Sequence, residues 1–388
     1  MNGNGKLRVL HVGKFYPPFM GGMETHLQAL CNELQNYVDV KVIVANSSSQ
    51  QSEEVVNNIP VTRVGKLFDL AGAPICPAMA RRIREAESDI IHIHLPNPTA
   101  ILAYLASRHR GRLVFTYHSD TVRQKMLGKA FDPIQRAALD RSAALIGTSP
   151  NYLNSSAVLT AYKDRCHVIP YGISTEQFYD SDPAIVEQIR SQYGSRLIIS
   201  VGRLIYYKGF EYLIRAMAKI DGRLLIIGDG PLRGSLEAEA QALGISDKVV
   251  FLGEIQNEET VPYYHAADVF ALASIARSEA FGIVQLEAMA CGKPVVNTDL
   301  ASGVPFVSLH GETGITVPPQ DSDALAAAIN FLLDREELRA QYGRAAQRRV
   351  EQEFSLDRMV NRTLQLYEQV MSAPSEVRAT VAATSPAA

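Results

Sequence analysis

The stretch Leu197-Ile198-Ile199-Ser200-Val201-Gly202-Arg203-Leu204-Ile205-Tyr206-Tyr207-Lys208-Gly209-Phe210 decides how the chain folds. Its nearly unbroken apolar start reads as a strand buried on both faces. A glycine-bracketed basic turn follows, then a helical pattern from Phe210 to about Lys219. A strand running through a short turn into a helix is the unit of parallel sheets. Downstream the unit repeats, with strands expected at 224–227, 248–252, 269–272 and 294–297. Helices are expected at 231–243, at 261–266 and from near Gly282. Three more helices follow Asp321-Ser322-Asp323, to about Met371.

Upstream the alternation is the same. Strands are expected at 7–12, 39–45, 90–94, 112–118, 143–147 and 166–170, with helices from Met23 to about Gln35, after Pro98, and from Ser149-Pro150 to Tyr162. Asn46 to Asn58 is polar and reads as a surface loop. The fold class is therefore α/β, as two facing, doubly wound, Rossmann-like domains with a cleft between them. The first domain is expected at 1–172 and the second at 196–355, joined by a loop-like linker at 173–195. A helix at about 356–371 is long enough to complete the first domain, and 373–388 lacks an apolar stripe and reads as a disordered tail.

Composition agrees with an ordinary globular chain. The 388 residues are 47% hydrophobic and 20% charged with net charge −3, which gives no reason to expect nucleic acid as a partner. Four scattered cysteines form no zinc or disulfide spacing, and a reducing cytosol fits them. The N-terminus is unlike a signal peptide, and no apolar run reaches the ~20 residues of a membrane span. A soluble protein, or one held peripherally at the inner membrane face, is expected.

The chemistry concentrates where strands end. Ser278-Glu279-Ala280-Phe281-Gly282-Ile283-Val284-Gln285-Leu286-Glu287 holds two carboxylates eight positions apart around a glycine and a helix start. Hydroxyl-seeking carboxylates beside an anion-favouring helix start suit a sugar joined to a phosphate. Arg203 and Lys208 add two cations at a strand's carboxyl edge, bracketed by Gly202 and Gly209. Gly228-Asp229-Gly230 nearly begins a dinucleotide fingerprint, but Arg233 stands where its third glycine belongs, so a turn lining a nucleotide is expected. In the first half, Gly21 and Gly22 let backbone N–H groups approach a phosphate, and His94 and His118 end apolar strands. Arg123, Lys125 and Lys129 lie in a basic amphipathic stretch suited to an anionic surface or a phosphate-bearing acceptor. Asp180-Ser181-Asp182 and Asp321-Ser322-Asp323 could pass for metal–diphosphate strings. They read instead as linker and helix cap, so no metal site is expected.

Together these segments resemble family 4 of the retaining glycosyltransferases of GT-B fold, of the bacterial cell-surface polysaccharide type. Glu279 to Glu287 looks like its Glu-x(7)-Glu motif, and Gly202-Arg203 with Lys208-Gly209 is similar to its diphosphate-gripping pair. Pro17-Pro18 with Gly21-Gly22 resembles its N-terminal glycine loop, and Thr116-Tyr117-His118 its strand-end histidine segment. The likeness spans about residues 7 to 370. It implies that Glu279 holds donor-sugar hydroxyls, Phe281, Gly282 and Ile283 contact sugar and diphosphate, and Glu287 binds ribose. Arg203 and Lys208 would stabilise the leaving nucleoside diphosphate, Gly22 would meet the phosphate, and His118 would contact the donor sugar or steady the oxocarbenium-like state. It also implies front-face transfer without a metal, Asp120 being the weak candidate for a nucleophile. The donor would be a nucleotide sugar, GDP-mannose before UDP-hexose. The acceptor would be a saccharide or a polyprenyl-diphosphate-linked one. A nucleotide-sugar epimerase of the same fold and a silent nucleotide-sugar binder remain alternatives.

Overall fold

The computed structural model describes residues 5–19, 21–120 and 125–374, with 125–130 and 257 described as backbone alone. The tail from 375 and Arg123 lie outside the described residues, as do the side chains of Lys125 and Lys129. The chain forms two compact units. The first takes the chain to Ile146, Tyr162–His167 and the chain from Val360; the second takes Gly147–Ala161 and Val168–Met359.

The sheet of the first unit runs Cys166–Val168, Ser142–Gly147, Arg112–Tyr117, Ile90–Leu95, Arg8–Val12, Asp39–Ala45, Ile59–Val64, Ser52–Val56. The central strands pair in parallel, and Ser52–Val56 pairs antiparallel with Ile59–Val64. The chain starts at Arg8–Val12, winds to one edge, then returns to Ile90–Leu95 and winds to the other. The reversal between those two strands is where a doubly wound sheet opens a crevice at its carboxyl end. Register puts His11 beside His92 and His94 beside Thr116. His92 and His94 are two apart and share a face of the strand.

The second unit has six parallel strands in the order Val249–Gly253, Arg223–Ile227, Leu197–Val201, Val269–Leu272, Val295–Thr298, Gly314–Val317. In chain order that is 3-2-1-4-5-6, the doubly wound order, with its reversal between Leu197–Val201 and Val269–Leu272. The apolar run of the first of these is explained by its neighbours. Ile198 packs with Phe210, Leu213, Leu325 and Ile329 on one face. Ile199 packs with Leu286, Met289, Val350 and Phe354 on the other. No helix among the described residues is long and apolar enough to cross a membrane.

Three expectations need correction. The polar stretch 46–58 contains the strand Ser52–Val56, which forms a hairpin with Ile59–Val64 through Asn57 and Asn58 at φ 50° and 65°. Two successive asparagines in the left-handed region make the tight hairpin turn, and an edge strand facing water carries no apolar alternation to announce itself. The stretch 173–195 is not a loop: it carries the helices Glu176–Tyr179 and Pro183–Tyr193, whose Phe178 and Ile189 are buried in the second unit's core. Residues 147–161, expected in the first domain, group with the second unit. There the Ser155 carbonyl accepts from Arg277 Nη1 at 2.9 Å, and Ser155 Oγ donates to the Ala301 carbonyl at 2.8 Å.

Candidate active site

At the reversal point of the second unit, the turn after Leu197–Val201 carries Arg203 and Lys208, and the turn after Val269–Leu272 carries Ser274 and Glu279. Adjacent parallel strands bring both turns to one edge. Lys208 Nζ lies 2.6 Å from Glu279 Oε2, each side chain about 11% exposed. Ser274 Oγ donates to the same carboxylate oxygen at 3.2 Å. A lysine ammonium has three N–H donors. One faces Glu279, which leaves donors for an anion at the same place.

Glu287 sits in the helix Val284–Ala290, which begins two residues later than expected. Burial pushes its carboxyl above the ordinary value, opposed by the hydrogen bond from Tyr264 Oη at 2.7 Å and by the charge of Lys208. Lys208 therefore acts on both carboxylates of the Glu-x(7)-Glu pair. Arg203 is exposed on the same turn.

The glycines divide by what surrounds them. A Cβ on Gly228 would collide with the Gly202 carbonyl oxygen, and one on Gly230 would meet the Leu204 carbonyl oxygen at 2.5 Å. Both are required to seat the 228–230 turn against the Gly202–Leu204 turn, whatever ligand is bound. Gly282 has φ +73°, and a Cβ there would meet Leu272 Cδ2 and Gln285 Nε2 at 2.8 Å. The turn through Phe281, Gly282 and Ile283 is held from beneath. Gln285 Nε2 donates to the Phe281 carbonyl at 3.1 Å, and Asn297 Nδ2 donates to Gln285 Oε1 at 2.9 Å. Thr316 Oγ1 donates to Asn297 Oδ1 at 2.8 Å.

In the first unit, Gly21 precedes and Gly22 opens the helix Gly22–Leu34. A Cβ on Gly22 would meet nothing within 4 Å, so packing does not demand a glycine there. His118 follows Arg112–Tyr117 and is buried, its backbone N–H donating to the Leu95 carbonyl at 2.9 Å. It does not stand alone: His11, His26, His92 and His94 are buried with it. Burial pushes His11 and His26 down to about 3 and holds His92, His94 and His118 well below the ordinary imidazole value, so these rings are neutral. Asp120 accepts from Tyr117 Oη at 2.8 Å. Both D-x-D strings are helix caps. Asp182 accepts from the Ala184 N–H, and Asp321 from those of Asp323 and Ala324.

The structure thus joins Lys208, Glu279 and Glu287 in the second unit, with Gly228 and Gly230 supporting their turn. It places Gly21, Gly22 and His118 at the corresponding edge of the first unit's sheet. Sequence reading missed Ser274, Tyr264 and the Gln285–Asn297 amide pair. It also passed over His11 and His92, although the two-residue spacing of His92 and His94 in an apolar strand was the available signal.

A model described as Glycosyltransferase Family 4 matches residues 20–177, and one described as Glycosyl transferases group 1 matches 181–349. The chain is 32% identical to O-antigen chain mannosyltransferase C of Escherichia coli, over 95% of this chain and 100% of that one. It is also 32% identical to a D-rhamnosyltransferase of Pseudomonas aeruginosa, over 90% of this chain and 92% of the other. Among solved structures, Anabaena HepE in complex with UDP-glucose superposes with TM-score 0.78 at 22% identity, covering 94% of this chain and 100% of that one. Two matched halves in the expected order, on two doubly wound sheets, place the protein in family 4 of the glycosyltransferases of GT-B fold.

Proposed function

We propose that this glycosyltransferase moves a manno-configured hexose from GDP-mannose to a glycan or lipid-linked saccharide, with retention of anomeric configuration and without a metal ion. The carrying observation is the Lys208–Glu279 contact of 2.6 Å at the second unit's reversal point. Glu279 accepts hydroxyls of the donor sugar while Lys208 takes the charge that grows on the leaving diphosphate. Fixed cations aimed at a developing charge are a large catalytic effect, worth on the order of 10²- to 10³-fold per donor. Arg203 supplies the second cation from the same turn. One aspartate of each D-x-D string, Asp182 and Asp321, is already engaged as a helix cap, and Asp323 pairs with Lys219, which favours this cationic route over a metal held by them.

Two relatives support this choice of donor. One is a mannosyltransferase and the other a D-rhamnosyltransferase. D-Rhamnose is 6-deoxy-D-mannose, so both sugars carry an axial hydroxyl at C2. Guanosine diphosphate is the carrier implied for mannose by the family resemblance. Glu287 is the carboxylate for the ribose hydroxyls, and His118 contacts the donor sugar. Front-face attack, with the leaving phosphate helping to deprotonate the acceptor, is favoured because Asp120 is already engaged by the Tyr117 hydroxyl. The acceptor and any inner-membrane contact belong to the basic stretch holding Arg123, Lys125 and Lys129.

A thermal-shift panel of GDP, UDP and ADP with their sugars, with and without EDTA, tests the donor. At 100 times the dissociation constant a ligand stabilises by about 2.7 kcal/mol. A shift confined to guanosine nucleotides that survives EDTA is expected, as is an α-mannoside product by NMR. A shift confined to uridine nucleotides overturns the base, loss of the shift in EDTA overturns metal independence, and a glycosyl-enzyme trapped on Asp120 overturns front-face transfer.

A further inference from the structure

Five of the nine histidines are packed into one buried cluster in the first unit, far more imidazole than one sugar contact needs. The nitrogens of four of them, His118, His94, His11 and His92, are joined end to end through Tyr367. His118 Nε2 lies 3.0 Å from His94 Nδ1, and His94 Nε2 lies 3.1 Å from His11 Nδ1. His11 Nε2 lies 3.4 Å from Tyr367 Oη, which lies 2.6 Å from His92 Nδ1. His92 Nε2 closes the series 2.7 Å from Thr116 Oγ1. Tyr367 is fully buried on the C-terminal helix Leu356–Ser372.

A neutral imidazole has one N–H donor and one bare nitrogen acceptor. That makes the series directional. If His94 carries its proton on Nδ1, it donates to His118 Nε2, so His118 must be protonated on Nδ1. The bare Nε2 of His94 then requires a proton on His11 Nδ1, and the bare Nε2 of His11 requires the Tyr367 hydroxyl to donate to it. The Tyr367 oxygen in turn accepts from His92 Nδ1–H, and His92 Nε2 accepts from Thr116. Reversing one bond reverses them all. Any mixture sets N–H against N–H or lone pair against lone pair, or makes the Tyr367 oxygen accept twice and leaves its own O–H unsatisfied, inside a buried site where an unsatisfied polar group is costly.

We propose that His11, His92, His94 and Tyr367 are positioning residues that form one unidirectional hydrogen-bond chain with His118, so that all four imidazoles share a tautomer and the sense in which His118 meets the sugar, as donor or acceptor, is coupled to Tyr367 on the C-terminal helix. The chain itself stands on the distances above; its effect on transfer rests on the donor-contact role of His118. A substrate group that accepts from His118 selects one sense, a group that donates selects the other, and the choice reaches Tyr367 through three rings. The same nitrogens offer a rival use. Those of His11, His92 and His94, and those of His26, His94 and His118, lie within 4.8 Å of one another and could hold a metal ion. A metal would take lone pairs that the chain needs.

The test is long-range ¹H–¹⁵N NMR of the full-length protein labelled at histidine, which reports each ring's tautomer without turnover. His11, His92, His94 and His118 are expected to be all Nδ1–H or all Nε2–H, and mixed tautomers overturn the chain. Tyr367→Phe keeps the ring but removes the link. It is expected to uncouple His92 from the other three and to lower kcat about tenfold, the factor of one lost hydrogen bond, with the donor KM unchanged. Unaltered tautomers and kcat in a folded Tyr367→Phe protein overturn the positioning role. One equivalent of zinc or nickel in the purified protein, removable by chelator, also overturns it. If GDP-mannose proves not to be the donor, the tautomer result still decides this inference.

Discussion

The two sheets reverse in the same way and furnish the reversal with opposite chemistry. In the second unit the crevice edge is built from charges, with Lys208 against Glu279 and Glu287 nearby. In the first unit it is built from neutral imidazoles buried against one another and against Tyr367. The difference follows from burial. Glu279 and Lys208 stay partly exposed and meet as a direct pair. The histidines are buried against one another, and that burial holds all five below the ordinary imidazole value. One edge presents charged side chains, the other directional hydrogen bonds that carry no net charge.

Acid should break the comparison most severely. An imidazole whose folded value lies below its unfolded 6.5 binds fewer protons folded than unfolded. Its contribution is whole above pH 6.5 and is lost as the pH falls toward the folded value. Each such group costs about 1.4 kcal/mol per pH unit in that window, so five together cost about 7. Against a total stability of about 5–15 kcal/mol, the first unit should unfold near pH 5. Urea midpoints between pH 7.5 and 5 should fall steeply, and a flat profile would mean the cluster is charged when folded. Glu287 has the opposite sign: its raised carboxyl value favours the folded state as pH falls through that value, and one such group cannot offset five.

Lys208→Ala should come next. Transfer should drop about 10³-fold, with near-ultraviolet circular dichroism unchanged. Wild-type turnover would mean the charged edge is not the site of departure. Tyr264→Phe removes the donor that stabilises the Glu287 carboxylate. Stability at pH 8 should fall by about 1–3 kcal/mol, with a progressively smaller loss as the pH is lowered and the raised carboxyl takes up its proton; urea unfolding along that pH series reads the difference. Gly22→Ala should have the smallest effect on the fold, within about 0.5 kcal/mol, since open space surrounds that position. Its donor KM should nevertheless rise, because the new methyl would stand where a phosphate approaches the backbone. An unchanged KM would leave Gly22 without a role in binding.

Local pattern was enough for much of this protein. Leu197–Val201, Asp39–Ala45 and Val269–Leu272 were legible strand by strand, because parallel strands buried on both faces read as apolar runs between turn signals. The motif at Glu279–Glu287 and the basic turn at Arg203–Lys208 were legible as residues, and the caps at Asp182 and Asp321 follow from local hydrogen bonding. The edge hairpin at 52–64 and the helices within 173–195 were not, since an exposed strand has no alternation and short helices take their stability from the core they cover.

What the sequence determined, then, is the alternation of strands and helices and the kinds of residue at each strand end. Tertiary structure alone decided which ends meet. Sequential parallel strands are joined by crossovers, so neighbours in the sheet lie far apart in the chain. Lys208 reaches Glu279 because two strands pair across a reversal. His11 reaches Tyr367 across 356 positions because the last helix returns to the first unit. Burial, which exists only once the core has closed, then lowers the imidazole values at one edge and raises the Glu287 carboxyl at the other.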